Sequence, residues 1–298
     1  MHYIMARSIL SSRNGMNLYR GCQHGCIYCD ARSSCYGMDH PFTDIAVKQN
    51  GLALLEAALR SKRRPCMIGT GSMSDPYMPL EEKLGITRKS LELMEKYGFG
   101  ATVLTKSDRI LRDLDILQRI NSRTKAVVQM TLTTMDEDLC AILEPNVSTT
   151  RQRIRALEAL REAGIPTVVW LCPIVPFLND TEENICGIVD ACAGAGVRGI
   201  VHFGMGMTLR EGNREYFYEK LDCHFPGLKE RYIHTYGNAY EICSPHADRL
   251  ECLFRERCDR LGICRDNAAI FSYLSSLPEA EDAQQLSLFD GTGGGNAG

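Results

Sequence analysis

Six short runs that read as strands alternate with amphipathic stretches, and this alternation narrows the folds open to the chain more than any other feature. The runs are Asn17–Gly21, Cys66–Gly71, Gly100–Thr105, Ala126–Thr133, Pro166–Ile174 and Arg198–Gly204. Between them, Leu52–Lys62, Thr87–Gly98, Ser107–Ile120, Thr150–Gly164 and Thr181–Gly196 carry apolar residues at helical spacing. Thr87, Ser107 and Thr181 stand where helix N-caps are expected, and Gly98 and Gly164 where helices stop. Such alternation predicts an α/β fold on a parallel sheet, open or closed into a barrel, because parallel neighbours need a crossover helix. After about Gly237 the pattern changes to two helices, Ser244–Cys264 and one within "NAAIFSYLSSL", and from Pro278 to an acidic and then glycine-rich tail expected to be disordered.

Polar or glycine-rich residues gather after every run: cysteines after the first, "GTGSMSDPYMPLE" after the second, "TKSD", "TLTTMD", "CPIVPFLND" and "FGMGM" after the rest. Parallel barrels carry their sites at this end. In the fourth run Gln129, Thr131 and Thr133 share one face and Val128, Met130 and Leu132 the other. The hydroxyl face is expected to point inward and the apolar face to lie under helices.

"GCQHGCIYCDARSSCY" places Cys22, Cys26 and Cys29 in a C-x3-C-x2-C pattern, with Gly21 and Gly25 free to loop the backbone round a shared site. Structural zinc wants a fourth protein ligand, and His24 or Cys35 can supply it. An iron–sulfur cube held by three cysteines leaves one iron open. No signal sequence opens the chain and no apolar run nears the roughly eighteen residues needed to cross a bilayer, so a cytoplasmic protein without a membrane partner is expected. There, fourteen cysteines mean metal or redox chemistry rather than disulfides. The net charge of −3 gives no bulk field for nucleic acid.

The cysteine pattern at the end of a first strand, with Tyr28 before the last thiol, resembles the radical S-adenosylmethionine superfamily. "NLYRGCQHGCIYCDAR", "GTGSMSDPYMPLE", "LTKSDRILRDLDIL", "TLTTMDEDLCAILEPNVS" and "PIVPFLNDTEENI" together resemble its spore photoproduct lyase-like branch, from about Met1 to Ile263. The resemblance implies a partial (β/α)6 parallel barrel over residues 1–240, a C-terminal helical extension over 241–277 and a tail over 278–298. It implies one [4Fe–4S] cluster on Cys22, Cys26 and Cys29, and S-adenosylmethionine chelating the open iron. Reductive cleavage of the cofactor then gives a 5′-deoxyadenosyl radical that takes hydrogen from a substrate. An electron donor such as flavodoxin or ferredoxin is implied as a partner. Tyr28 would meet the adenine side, Ser74 and Asp75 the methionine amino group, Lys106 its carboxylate and Thr131 the same ligand; Arg153 can join Lys106.

The branch also uses a cysteine at the end of the second strand as hydrogen donor. Here that place reads Gly71-Ser72-Met73-Ser74-Asp75, without a thiol. Cys66 begins the same strand, roughly 20 Å away at about 3.3 Å per residue. The chain is therefore not expected to be a standard spore photoproduct lyase. Cys35, Cys140 and Cys172 can approach the site or fill core volume. Cys252 and Cys258 lie about 600° apart along a helix, so the C-terminal cysteines are not expected to share a metal. His202 is read as a core residue and "RSKRRP" as a solvated helix end. In the tail, Gln285, Leu286, Leu288 and Phe289 resemble the pentapeptide that docks bacterial repair and replication proteins onto the DNA sliding clamp. A DNA-lesion-like nucleic acid is the expected substrate. A peptide or small metabolite, or a cluster-bearing module without turnover, are the alternatives.

Overall fold

The computed structural model describes residues 1–278; the tail residues Gln285, Leu286, Leu288 and Phe289 lie outside them. Six parallel strands pair in chain order: β1 (Gly15–Met16), β2 (Met67–Thr70), β3 (Gly100–Thr105), β4 (Ala126–Thr131), β5 (Thr167–Trp170) and β6 (Gly199–Val201). Five of the six match the runs expected from the sequence. The first does not. The ladder strand is Gly15–Met16, and Tyr19–Arg20, within the expected run, instead pairs antiparallel with Ala46–Lys48 in a side sheet that also holds His2–Ile4. Met16 is fully buried and fits the barrel wall, whereas the glycine-led turn that follows must aim the cysteines inward.

Helices cross back over the outside: α1 (Gly51–Ser61), α2 (Ile86–Lys96), α3 (Leu114–Arg123), α4 (Glu137–Leu143), α5 (Thr150–Glu162) and α6 (Glu182–Gly194). Their starts follow local chemistry. The Thr149 hydroxyl accepts the Gln152 amide while Gln152 reaches back to the Thr149 amide, closing a capping box on α5. Thr181 caps α6, and Ser107 caps the 3₁₀ turn before α3. Thr87 does not cap: it lies inside α2, its hydroxyl donating to Pro76 O and its amide to Glu81. Val128, Met130 and Leu132 pack under these helices in the main core, as their alternation requires.

The barrel interior is filled from below. Met67, Val127, Val168 and Val201 pack with Ile270 and Leu274 of the last helix, Asn267–Ser275, which closes the amino-terminal end of the barrel. Gly199 marks how closely it docks: a Cβ there would meet Cys264 O and Ile270 Cδ1, each at 2.9 Å. Above this plug Gln129 donates to Thr102 Oγ1 at 2.8 Å and accepts the Trp170 indole N–H at 2.7 Å, making a polar floor. Two helices not foreseen from sequence, Asn213–His224 and Leu228–Tyr236, lie between the antiparallel strands Gly206–Thr208 and Glu241–Cys243. Their Phe217, Leu221 and Tyr232 pack in one cluster with Cys26, Ile27 and Tyr28.

Candidate active site

The loop that carries the thiols is held by its glycines and by a distant segment. Gly21 has φ +86°, and a Cβ there would sit 2.5 Å from Phe42 O, the carbonyl that accepts the Cys22 amide at 3.2 Å. From the other side, Leu143–Asn146 splints the loop. Leu143 O accepts the Ile27 amide at 2.9 Å, the Asn146 amide donates to His24 O at 3.1 Å, and Asn146 Nδ2 donates to Gln23 O at 3.0 Å. The Tyr28 hydroxyl donates to Glu144, whose other oxygen accepts Arg153 Nη2 at 2.6 Å.

So held, Cys22, Cys26 and Cys29 face a cavity of about 570 Å³ at the carboxyl ends of the strands. Its wall also includes Tyr28, Ser74, Asp75, Lys106, Thr131 and Trp170. Burial pushes the Cys22 thiol up to about 12, and raises Cys26 and Cys29 as well, while Lys106 pulls the latter two back. The backbone N–H groups of Asp75 and His24 aim at the Cys22 sulfur, an arrangement suited to a thiolate ligand. Among the described residues the three sulfurs do not all lie within 4.8 Å of one another. One tetrahedral zinc with bonds of about 2.3 Å needs thiolates only about 3.8 Å apart. A cube, whose irons each take one thiolate, accepts the wider spacing. Cys35, one of two candidate fourth zinc ligands, is exposed and takes Arg210 Nη1 at 3.3 Å instead.

Asp75 is an organiser. Its Oδ1 accepts the Tyr77 amide at 2.8 Å and the Thr105 hydroxyl at 2.7 Å; its Oδ2 accepts the Lys106 amide at 2.7 Å, with His24 Nδ1 at 3.3 Å. Burial alone would raise its carboxyl, but His24 and these donors outweigh it and hold the group at about 2. Ser74 donates to Gly21 O at 2.6 Å, tying the loop after β2 to the cysteine turn. Both residues therefore line the cavity with their bonds directed mainly into the protein. Lys106 differs. Its Nζ lies 5.9 Å from the Tyr28 ring centre, and burial is outweighed by Cys26, Glu144, Cys29 and Asp75, which raise its pKa.

Arg153, expected beside Lys106, is not at the wall. It is fully buried, its guanidinium spent on Glu144, on Thr131 O at 2.7 Å and on Cys140 Sγ at 3.0 Å. A buried carboxylate captured the charge before any ligand can. Cys140 belongs to that network, so of the three candidate thiols only Cys172 lines the cavity, together with Cys243 of the hairpin. Cys66 sits at the opposite end of β2. Among the other C-terminal thiols, Cys252 is exposed beside Glu256 and Cys258 is buried in the main core. His202 packs edge-on against Phe254 outside the cavity.

Sequence reasoning missed Glu144 and Trp170, and gave His24 only a zinc role. His24 is 1 % exposed, and its Nε2 has no partner. The one signal for Glu144 was a carboxylate inside the apolar "AILEPNV" stretch.

A parallel half-barrel whose mouth gathers Cys22, Cys26, Cys29 and Lys106 points to a cluster-dependent class of enzyme. Residues 16–192 match the family model of the radical SAM superfamily, and the chain belongs to that superfamily. Membership implies a [4Fe–4S] cluster and S-adenosylmethionine, and the three thiols on one cavity wall are residues that could hold the cluster. The chain is 30% identical over 251 residues to the uncharacterized protein Rv2578c of Mycobacterium tuberculosis, covering 79% of this chain and 73% of that one. It is 34% identical over 172 residues to the uncharacterized protein MJ0683 of Methanocaldococcus jannaschii, covering 57% and 63%. Among solved structures, spore photoproduct lyase variants share the fold. One superposes with a TM-score of 0.65 at 15% identity, over 87% of this chain and 78% of that one. Another, solved with bound AdoMet and dinucleoside spore photoproduct, gives 0.59 at 15% identity, over 82% and 72%.

Proposed function

We propose that this protein abstracts hydrogen from a nucleic-acid-derived substrate that presents one reacting group to the cavity. The observation that carries this reading is the wall itself: three cluster thiols on one side, and Trp170 with the 62 % exposed Phe203 on another. Bound there, the cluster and S-adenosylmethionine would supply a hydrogen-abstracting radical. The chain's own part is positioning. Lys106 offers the one lysine or arginine charge on the wall among the described residues, and thus a seat for the cofactor carboxylate. Tyr28, fixed by Glu144, gives an apolar ring for the adenine side, and Ser74, Asp75 and Thr131 shape the methionine side. Trp170, its N–H already held by Gln129, presents a ring on which a planar group can stack.

Since Ser72–Asp75 offer no thiol, a hydrogen donor, if the reaction needs one, would have to come from Cys172 or Cys243. An electron carrier such as flavodoxin or ferredoxin, a cytoplasmic setting and clamp docking through Gln285–Phe289 complete the reading. The docking part is tested by binding of an Ala283–Asp290 peptide to a bacterial clamp: it fails if alanine at Leu288 and Phe289 changes nothing.

A second reading, a peptide or small metabolite as substrate, draws on the charge of the wall. Asp30 and Glu241 stand there, and among the described residues Lys106 is their one counterweight from lysines and arginines, which is poor ground for phosphates. The deciding experiment measures 5′-deoxyadenosine from the reduced, reconstituted protein with and without single-stranded and ultraviolet-irradiated oligonucleotides. The proposal expects at least tenfold stimulation by one of them. Stimulation by peptides or small metabolites alone favours the second reading, and no 5′-deoxyadenosine at all would mean a module without turnover.

A further inference from the structure

We infer that His2, His40 and Asp44 form a binding site for one divalent transition-metal ion, zinc in the first place, separate from the cluster. The side sheet makes the juxtaposition. His2 opens the strand His2–Ile4, which runs parallel to Ala46–Lys48 with His2 opposite Ala46, and the His2 amide donates to Ile45 O at 3.0 Å. This fixes His2 beside Asp44, and His2 Nδ1 lies 2.9 Å from Asp44 Oδ2. His40, four residues before Asp44, brings its ring edge-on to His2 with the centres 4.8 Å apart. One ligand atom from each of the three residues falls within 4.8 Å of the others.

The chemistry of the three groups suits a metal. His40 Nδ1 lies 3.2 Å from Pro41 O, a carbonyl that can only accept, so the tautomer with the proton on Nδ1 is served there. In that tautomer His40 Nε2 is a bare lone pair, as a metal requires, with its other nitrogen anchored as in established sites. Between His2 and Asp44 a proton now bridges two ligand atoms. In a tetrahedral zinc site with bonds of about 2.0–2.1 Å, neighbouring ligand atoms stand about 3.4 Å apart. The pair at 2.9 Å opens slightly, and the widest separation, within 4.8 Å, needs to close by at most about 1.4 Å, within reach of a side-chain rotation. The Met1 amine holds Asp44 Oδ1 at 2.9 Å and need not move. Two imidazoles and one carboxylate are a donor set for zinc, nickel or iron(II) rather than calcium or magnesium.

The site has a mechanical consequence. Phe42, between the two ligands His40 and Asp44, supplies the carbonyl that receives the Cys22 amide. An ion there would staple the amino-terminal strand to the segment that backs the cluster turn. The test is equilibrium dialysis of the cluster-loaded full chain against zinc, with metal counting and X-ray absorption at the zinc edge, where iron does not interfere. The expected result is one zinc per chain with nitrogen and oxygen neighbours at about 2.0–2.1 Å and no sulfur. Affinity should fall more than tenfold in His40→Gln and in His2→Gln, two half-buried positions where the chain has room to accept the change. Zinc bound through sulfur, no saturable zinc, or binding unchanged in both variants would overturn the inference.

Discussion

The Lys106 ammonium faces Cys26, Cys29, Glu144 and Asp75, yet makes no ion pair within 4.0 Å among the described residues. A desolvated cation without a close partner favours an anionic ligand. Lys106→Ala should weaken S-adenosylmethionine binding ten- to a hundred-fold, about 1.5–3 kcal/mol, while the cluster remains. Isothermal titration of the reconstituted protein measures it. Unchanged affinity would leave Lys106 the task of balancing thiolates alone. Asp75 shows the opposite situation. Its oxygens are already served by protein donors, so this wall residue also holds its neighbours in place. Residue type was legible in the sequence, but what each charge is spent on was not. Arg153 and Lys106 looked alike until burial and Glu144 separated them.

At the scale of elements, the Leu143–Asn146 splint carries the cysteine loop. Glu144→Gln leaves the fully buried Arg153 without its anion, which should cost about 3–5 kcal/mol in urea unfolding and lower iron retention. Glu144→Gln with Arg153→Met should recover much of the stability. A single-variant loss below about 1 kcal/mol would show that the pair is not structurally coupled. The helix Asn267–Ser275 gives a second test. Lys125 Nζ donates to Ser276 O at 2.9 Å and also bonds Tyr273 O, and burial, helped by Arg198, pulls its pKa down to about 8. The folded value lies below the unfolded one of about 10.4, so the charged form is penalised below pH about 8 and the penalty fades as pH rises towards 10.4. The rise in melting temperature from pH 7 to pH 9.5 should therefore be larger in the wild type than in Lys125→Met. Equal rises would contradict this.

The long alternating runs were legible because periodicity is a local signal; β3 begins and ends where its run does. The two-residue β1 is too short to show a period, and Gly206–Thr208 finds its partner only at Glu241–Cys243, a pairing no local pattern announces. Asn213–His224 mixes aromatic and charged residues round its whole surface and so hides from a search for one apolar face.

Taken whole, the molecule puts its chemistry at one end and its stopper at the other. Cys22, Cys26, Cys29, Lys106 and the aromatic wall share the carboxyl ends of the strands, and a helix fills the amino ends. In the site, the cysteine spacing was legible because the three thiols Cys22, Cys26 and Cys29 lie within eight residues. Glu144 was not, because it acts on Tyr28 from 116 residues away. The cavity must take cluster, cofactor and a reacting group together, so a large substrate would enter by one group only. If Cys22, Cys26 and Cys29 hold a cluster that cleaves S-adenosylmethionine, both iron and product depend on these thiols. The measurement is 5′-deoxyadenosine formed by the anaerobically reconstituted, reduced protein, alongside the same protein with all three cysteines changed to alanine. About four irons per chain and 5′-deoxyadenosine are expected from the first, and neither from the second. Iron and product retained by the triple variant, or a fully loaded wild type that forms no 5′-deoxyadenosine, would contradict this reading.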